Sequence, residues 1–348
     1  MTGKGSRAVR AAAVSLVILM AVGCSHHSPL ADHHAELPDG VVLPEGFAPL
    51  VGHYGTGNPD DDYMGWPRYI VSERDNMIMC YVPTQEFTMG GGLQVDEVPA
   101  RTVVVNHFYI DLHEVTNSQF HQFARSAKRH GAKACNLDQY KEYWIPGLNN
   151  NHPVRNVSWR QALAYAQWAG KCLPTEAQWE AAARGIDRRI YPWGNEDVSE
   201  VTRFLCNART GLEDYDGYSY TAPVMNFAAG VSPFGVFNMS GNVWEWCDDY
   251  YDPGRYAYPS AEDPATGLER GPKPFGDSNY PNPLDKDIRE ARVGPLRGDE
   301  RVIRGGSFAD PIERCRVDTR AGARPDVHQN NIGFRCVLPL PPMELAAR

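Results

Sequence analysis

What this chain has little of narrows its roles first. Across 348 residues no cluster of basic side chains is dense enough to follow a phosphate backbone, and Lys+Arg 34 against Asp+Glu 43 leaves a formal charge of −9. An acidic balance repels polyanions, so no nucleic-acid partner is expected. The one long apolar run, from Ala11 to Val22, falls short of the roughly 20 residues a membrane-spanning helix needs. No internal repeat is apparent, and beyond Arg184 hydrophobic periodicity is scarce. What is plentiful is glycine (32) and proline (27), alongside 42% hydrophobic residues. That combination predicts a substantial core inside a loop-rich fold, as one large or two ordinary domains.

The N-terminus reads as an export signal. Lys4, Arg7 and Arg10 precede the apolar run, which ends Ala21-Val22-Gly23-Cys24. Small residues before a cysteine resemble a bacterial lipobox, so residues 1–23 are expected to be a signal peptide and Cys24 the lipidated first residue of an exported lipoprotein. Cell-envelope placement follows, with the membrane as partner through Cys24. Ser25 rather than an acidic residue favours the outer membrane in a diderm source. Removing Cys24 from eight cysteines leaves seven, so at least one is a free thiol, a metal ligand or bonded to another molecule.

Residues 24–74 are rich in His, Pro, Gly and Asp, including His26-His27, His33-His34 and Asp60-Asp61-Asp62. They show neither a period of 2 nor one of 3.6, and are expected to be a tether. The domain is expected over 75–340, followed by a tail, 341–348. Met77 to Pro83 reads as a buried strand, and Arg101 to Asp111 as another. Thr116, Ser158 and Thr175 are expected helix caps, the last with Gln178 as a capping box. The Pro/Gly-rich stretch 251–299 reads as a long inserted loop.

Several motifs occur in order: Glu114-Val115-Thr116-Asn117, His152-Pro153-Val154, Val157-Ser158-Trp159, Leu173-Pro174-Thr175-Glu176, Pro192-Trp193-Gly194-Asn195, Gly241-Asn242-Val243-Trp244-Glu245-Trp246, Arg304-Gly305-Gly306-Ser307-Phe308-Ala309-Asp310 and Gly333-Phe334-Arg335. Together they resemble the formylglycine-generating (sulfatase-modifying factor) family. The resemblance implies an α+β fold related to C-type lectins, with little regular structure. It also implies two Ca²⁺ sites. Asn207 and Asp216 with the carbonyls of Ala208 and Tyr218 would form the first, and Asn238 and Glu245 with the carbonyls of Gly241 and Val243 the second. Hard oxygen donors suit Ca²⁺.

In the family enzymes two cysteines five residues apart hold Cu(I), and a substrate cysteine is oxidised to Cα-formylglycine. Here Ser307 matches the family serine and Cys315 the second cysteine, but Asp310 stands at the first. A carboxylate suits Cu(I) poorly, so copper is a doubtful cofactor. Asp310, Cys315 and His328 are a chemically sensible set for Zn²⁺ or Fe²⁺, although a surface histidine is the default for His328. The family's disulfide positions are Ala183 with Arg320, and Ala166 with Cys336. The first pair has lost both cysteines, and Cys172 is the candidate partner for Cys336.

The expectation is therefore a membrane-anchored, calcium-stabilised domain that acts as a binding or assembly module without the copper oxidase chemistry. It would take a protein or peptide ligand in a cleft near Ser307. The alternative is an O₂-dependent formylglycine-generating oxidase, or an oxidoreductase with a different metal.

Overall fold

Among the described residues, eleven short strands and three helices carry the fold, with turns and 3₁₀ segments between them. The computed structural model describes residues 41–50, 65–129, 138–195, 205–209, 216–254, 256 and 298–340. Cys24, Cys135, both histidine pairs, the Asp60–Asp62 run and most of the 251–299 stretch lie outside the described residues.

One antiparallel sheet has the order β1-β2-β3-β6-β11, formed by Phe47–Pro49, Tyr69–Ser72, Ile78–Val82, Phe108–Asp111 and Val337–Pro339. The expected first strand is β3, but the boundary at residue 75 needs correcting. β1 and β2 fall inside 24–74, and β2 pairs with β3 from Tyr69↔Cys80 to Val71↔Ile78. Strands of three and four residues, one ending in proline, are too short to show a period. The stretch 101–111 is also two strands. Among the described residues Arg101–Val105 (β5) pairs only with Gln85–Met89 (β4), while β6 joins the large sheet. Asn106-His107 breaks the run, and the His107 amide donates to the Thr84 hydroxyl at 3.0 Å.

The helices begin where their caps predict. Asn117–Arg129 (α1) follows Thr116, whose Oγ1 accepts the Gln119 amide at 3.2 Å. Trp159–Trp168 (α2) and Glu176–Arg184 (α3) open with complete capping boxes, Ser158/Gln161 and Thr175/Gln178. Helix α3 stops at Gly185, whose φ of 64° suits glycine. Every residue of α3 is buried, including Glu176, Glu180 and Arg184, because the helix packs on β4 and β5 on one side and on two strands of a second sheet on the other.

That second sheet, β10-β7-β8-β9, comprises Ile332–Gly333, Trp244–Tyr250, Arg301–Arg304 and Arg320–Ala323. It arises beyond Arg184, where hydrophobic periodicity is scarce, from strands of two to seven residues. Trp244 and Trp246 enter one apolar core with α1, α2 and Phe334. Cys247, on the opposite face, enters the other with Trp179 and β4–β5. The result is α+β and loop-rich, as expected. Among the described residues no helix is long and apolar enough to cross a membrane.

Candidate functional site

Strand β8 delivers the Gly-Gly-Ser segment into a tight bend. Gly306 has φ 73°, and a Cβ there would lie 2.6 Å from Cys315 Sγ and 2.8 Å from the Arg314 carbonyl, so the bend requires glycine and packs directly on the cysteine. The chain then turns over Ser307–Asp310, with the Asp310 amide donating to the Ser307 carbonyl at 3.0 Å. A 3₁₀ turn, Ile312–Arg314, brings Cys315 back beneath it.

Ser307 and Asp310 meet directly. The Ser307 hydroxyl donates to Asp310 Oδ2 at 2.5 Å, and the indole Nε1 of Trp244 donates to the same oxygen at 2.8 Å. Asn331 Nδ2 reaches Ser307 Oγ at 3.2 Å. Parallel pairing of β10 with β7 sets Ile332 opposite Trp244, and the Trp244 amide donates to the Asn331 carbonyl at 2.8 Å. Three separated segments thus meet here: half-buried Asp310 is served by the neutral donors of Ser307 and Trp244, and Asn331 serves Ser307.

Cys315 is fully buried. It shares a small apolar cluster with Cys206 and Ala208, edged by Trp193 and Ile312. Its Sγ lies 3.8 Å from the Pro311 carbonyl, and its own carbonyl accepts the Ser240 hydroxyl at 2.6 Å. Burial, then Cys206 and the Asp310 carboxylate, push the Cys315 thiol well above its usual range, although the Ser307 N–H works the other way. Copper needs thiolate, and this pocket favours the thiol. Asp310 with Cys315 therefore does not fit the family's Cu(I) pair. His328 is exposed, and among the described residues no three of His, Cys, Asp and Glu converge on a metal. Cys206 is the neighbour sequence reasoning missed, because 109 positions separate it from Cys315.

The candidate calcium positions gather around the same bend. Asn207 Nδ2 donates to the Tyr220 carbonyl at 2.7 Å, and Asp216 Oδ1 accepts the Tyr218 amide at 3.0 Å. Ala208 is buried, and the next residue, Arg209, donates its amide to the Asp310 carbonyl at 2.8 Å. In the second set, Asn238 Oδ1 is buried without a hydrogen-bond partner, while its Nδ2 serves Glu114 and the Val224 carbonyl, both at 3.0 Å. An orphaned amide oxygen fits a hard cation. Glu245 is already held by Arg335 at 2.7 Å through both carboxylate oxygens, and by Trp179 Nε1 at 2.8 Å. Gly241 has φ 79° and lies against Asn207, and Val243 is buried.

Where the resemblance implies a disulfide between positions 183 and 320, Arg320 grips Glu176 instead, at 2.7 and 2.8 Å. Cys172 pairs its backbone both ways with Val337, at 2.9 and 2.8 Å, beside Cys336. Cys336 itself is fully buried. A separate cavity of about 550 Å³ opens by Gln85, Glu86 and Ile186 and shares no residue with the Ser307–Asp310 bend.

The sequence of residues 70–340 matches the model of the sulfatase-modifying factor enzyme 1-like domain. The chain belongs to this family. A formylglycine-generating enzyme of Thermomonospora curvata is 34% identical over 307 residues, covering 74% of this chain and 92% of the relative. A mouse relative named inactive C-alpha-formylglycine-generating enzyme 2 is 28% identical over 78% of this chain and 88% of its own length. Among solved structures, PvdO from Pseudomonas aeruginosa superposes with a TM-score of 0.55 at 24% identity, covering 77% of this chain and 96% of that one. That likeness speaks for the sulfatase-modifying factor fold alone.

Proposed function

We propose that this protein is a sulfatase-modifying factor domain that binds a protein or peptide segment in the Ser307–Asp310 cleft without the family's copper-dependent oxidation. The observation that carries the reading is the state of the two ligand positions. At the first stands a carboxylate occupied by Ser307 and Trp244, and at the second a buried cysteine held as thiol. Envelope attachment through lipidated Cys24 completes the proposal, supported by the basic-apolar-cysteine pattern of the N-terminus. So does Ca²⁺ at the two oxygen-rich sets, supported by the orphaned Asn238 oxygen. A cation bound there would pin loops that have little regular structure and add its binding energy to folding.

The test pairs metal content with activity. The parent protein loaded with Cu(I) under reducing conditions is expected to retain none, and to leave the cysteine of a Cys-X-Pro-X-Arg peptide unchanged by mass spectrometry. Asp310→Cys is expected to gain stoichiometric Cu(I). Copper retention and peptide conversion by the parent would overturn the proposal. Calcium is read separately, by elemental analysis and by a fall in melting temperature on chelation.

A second reading is favoured by one contact. Cys206 beside Cys315 supplies a second sulfur at the site, and relatives 34% identical bear the name of the oxidase. In that case the parent would bind Cu(I), and Cys206→Ser would abolish the binding.

A further inference from the structure

Seven arginines are buried among the described residues, and six of them meet a carboxylate. Arg184 meets Asp318, Arg301 meets Asp248, Arg304 meets Glu180, Arg316 meets Glu97, Arg320 meets Glu176 and Arg335 meets Glu245. The seventh, Arg155, is only 8% exposed and has no carboxylate within ion-pair distance among the described residues. Burying a guanidinium is costly unless it is paired, and each of the other six follows that rule.

Arg155 is flanked by rings. Its Cζ lies 4.4 Å from the Tyr143 centroid, 5.4 Å from Tyr220 and 5.5 Å from Phe308. Among the described residues its Nη1 donates to the Asn330 carbonyl at 3.1 Å, and a guanidinium carries five N–H donors in all. Aromatic faces offset part of the desolvation of a cation, but they accept none of its in-plane hydrogen bonds. A guanidinium held between rings is pre-organised for a two-pronged bond to a planar oxyanion. Burial lowers its pKa, and only the two tyrosines oppose that fall.

The position ties the arginine to the cleft. Phe308 stands between Ser307 and Asp310 in sequence, and Asn330 precedes Asn331, which reaches Ser307 Oγ. Tyr220 is 59% exposed and packs edge-on against Phe308 with centroids 5.7 Å apart. A ligand lying over Ser307 and Asp310 would pass this cradle.

We propose that Arg155, held between Tyr143, Tyr220 and Phe308, binds a carboxylate of the segment that occupies the Ser307–Asp310 cleft. The inference rests on reading the cleft as a peptide-binding site and adds a chemical requirement to the ligand. The carboxylate comes from an acidic side chain or from a chain terminus, and three small probes separate the two. N-acetyl-glutamic α-amide carries only the side-chain carboxylate, N-acetyl-glutamine only the terminal one, and N-acetyl-glutamine amide neither.

Nuclear magnetic resonance titration of the full chain is expected to show saturable binding of at least one carboxylate probe. It should be about 10-fold tighter than binding of the neutral amide, and the difference should vanish in Arg155→Gln. Arg155→Lys keeps the charge without the fork and is expected to recover only part of it. Tyr220→Ala, a change at an exposed ring, is expected to weaken binding while the fold stays intact. Equal binding of all three probes would overturn the inference, as would carboxylate binding that survives in Arg155→Gln. So would inorganic phosphate binding more tightly than either carboxylate at the same arginine. Peptide capture that depends on Asp310 but ignores the carboxylate would sink the inference and leave the reading of the cleft standing.

Discussion

The body of the domain and its cleft treat buried charge in opposite ways. Around α3 the guanidiniums of Arg304, Arg316 and Arg320 are matched to Glu180, Glu97 and Glu176, and Asp318 is shared between Arg184 and Arg316. At the cleft, Asp310 is met by a hydroxyl and an indole, and Arg155 by three rings and a carbonyl. Paired charges hold elements together and have little left to offer a ligand. Charges met by neutral groups keep capacity for one. The contrast separates scaffold from site more sharply than exposure does, because Arg155 is nearly as buried as the network arginines.

The sharpest way to break the comparison is to strand a network charge. Glu176→Gln leaves Arg320 without its two-pronged partner, and a loss of about 3–5 kcal/mol in urea unfolding is expected. A loss under about 1 kcal/mol would mean that the network is dispensable and that the contrast with the cleft is false. At the cleft, Asp310→Asn keeps the shape but removes the charge that strengthens the Ser307 and Trp244 bonds. A half-buried group of this kind is expected to cost about 1.5 kcal/mol, with the tryptophan fluorescence shifting as the Trp244 bond weakens.

Acidification sharpens the picture on the body side. Burial lowers the pKa of His113 to about 4, so the stability this residue contributes is present above its unfolded value near 6.5 and is lost as pH falls from there towards 4. Asp111 runs the other way. Burial raises it to about 6 despite Lys171 at 2.9 Å, so its contribution grows as pH falls through 6. The two slopes oppose each other between pH 6 and 4, each at most about 1.4 kcal/mol per pH unit. His113→Gln removes the falling one, and its urea midpoint is expected to drop less than that of the parent on acidification from pH 6.5. Identical pH profiles would refute the assignment. The smallest effect belongs to Arg155→Gln. No charged partner is stranded, the Asn330 carbonyl belongs to an exposed residue that water can reach, and lost ring contacts are offset by relief of an unpaired buried charge, so stability is expected to change by less than about 1 kcal/mol. A much larger loss would make Arg155 a structural residue like the other six.

Legibility in the sequence followed the range of the interactions. The Ser158 cap and the Thr175/Gln178 capping box are local, and both helices begin there. The strand Ile78–Val82 was readable because four of its five residues are buried in succession. β1 and β2 were not, since strands of three and four residues depend on their partners for recognition. At the site, the ordered motifs identified Ser307, Asp310 and Cys315 as a unit. The partners Trp244 and Asn331 came from other motifs, and Cys206 from no motif at all. Arg155 sat in plain view inside His152-Pro153-Val154-Arg155, where nothing distinguishes an arginine that will be paired from one that will not.

By itself, then, the sequence determined the family, the α+β character, the helix starts and the substitution of a thiolate position by Asp310. Each of these is a property of residue identity or of neighbours a few positions apart. The tertiary structure decided which groups those residues meet: that Asp310 is taken by Ser307 and Trp244, that Cys315 is buried against Cys206, and that Arg320 holds Glu176 where a disulfide was implied. It also decided that, among the described residues, Arg155 alone of the buried arginines has no carboxylate within ion-pair distance. Charge compensation depends on distances across the fold, and those exist only once the chain has closed on itself.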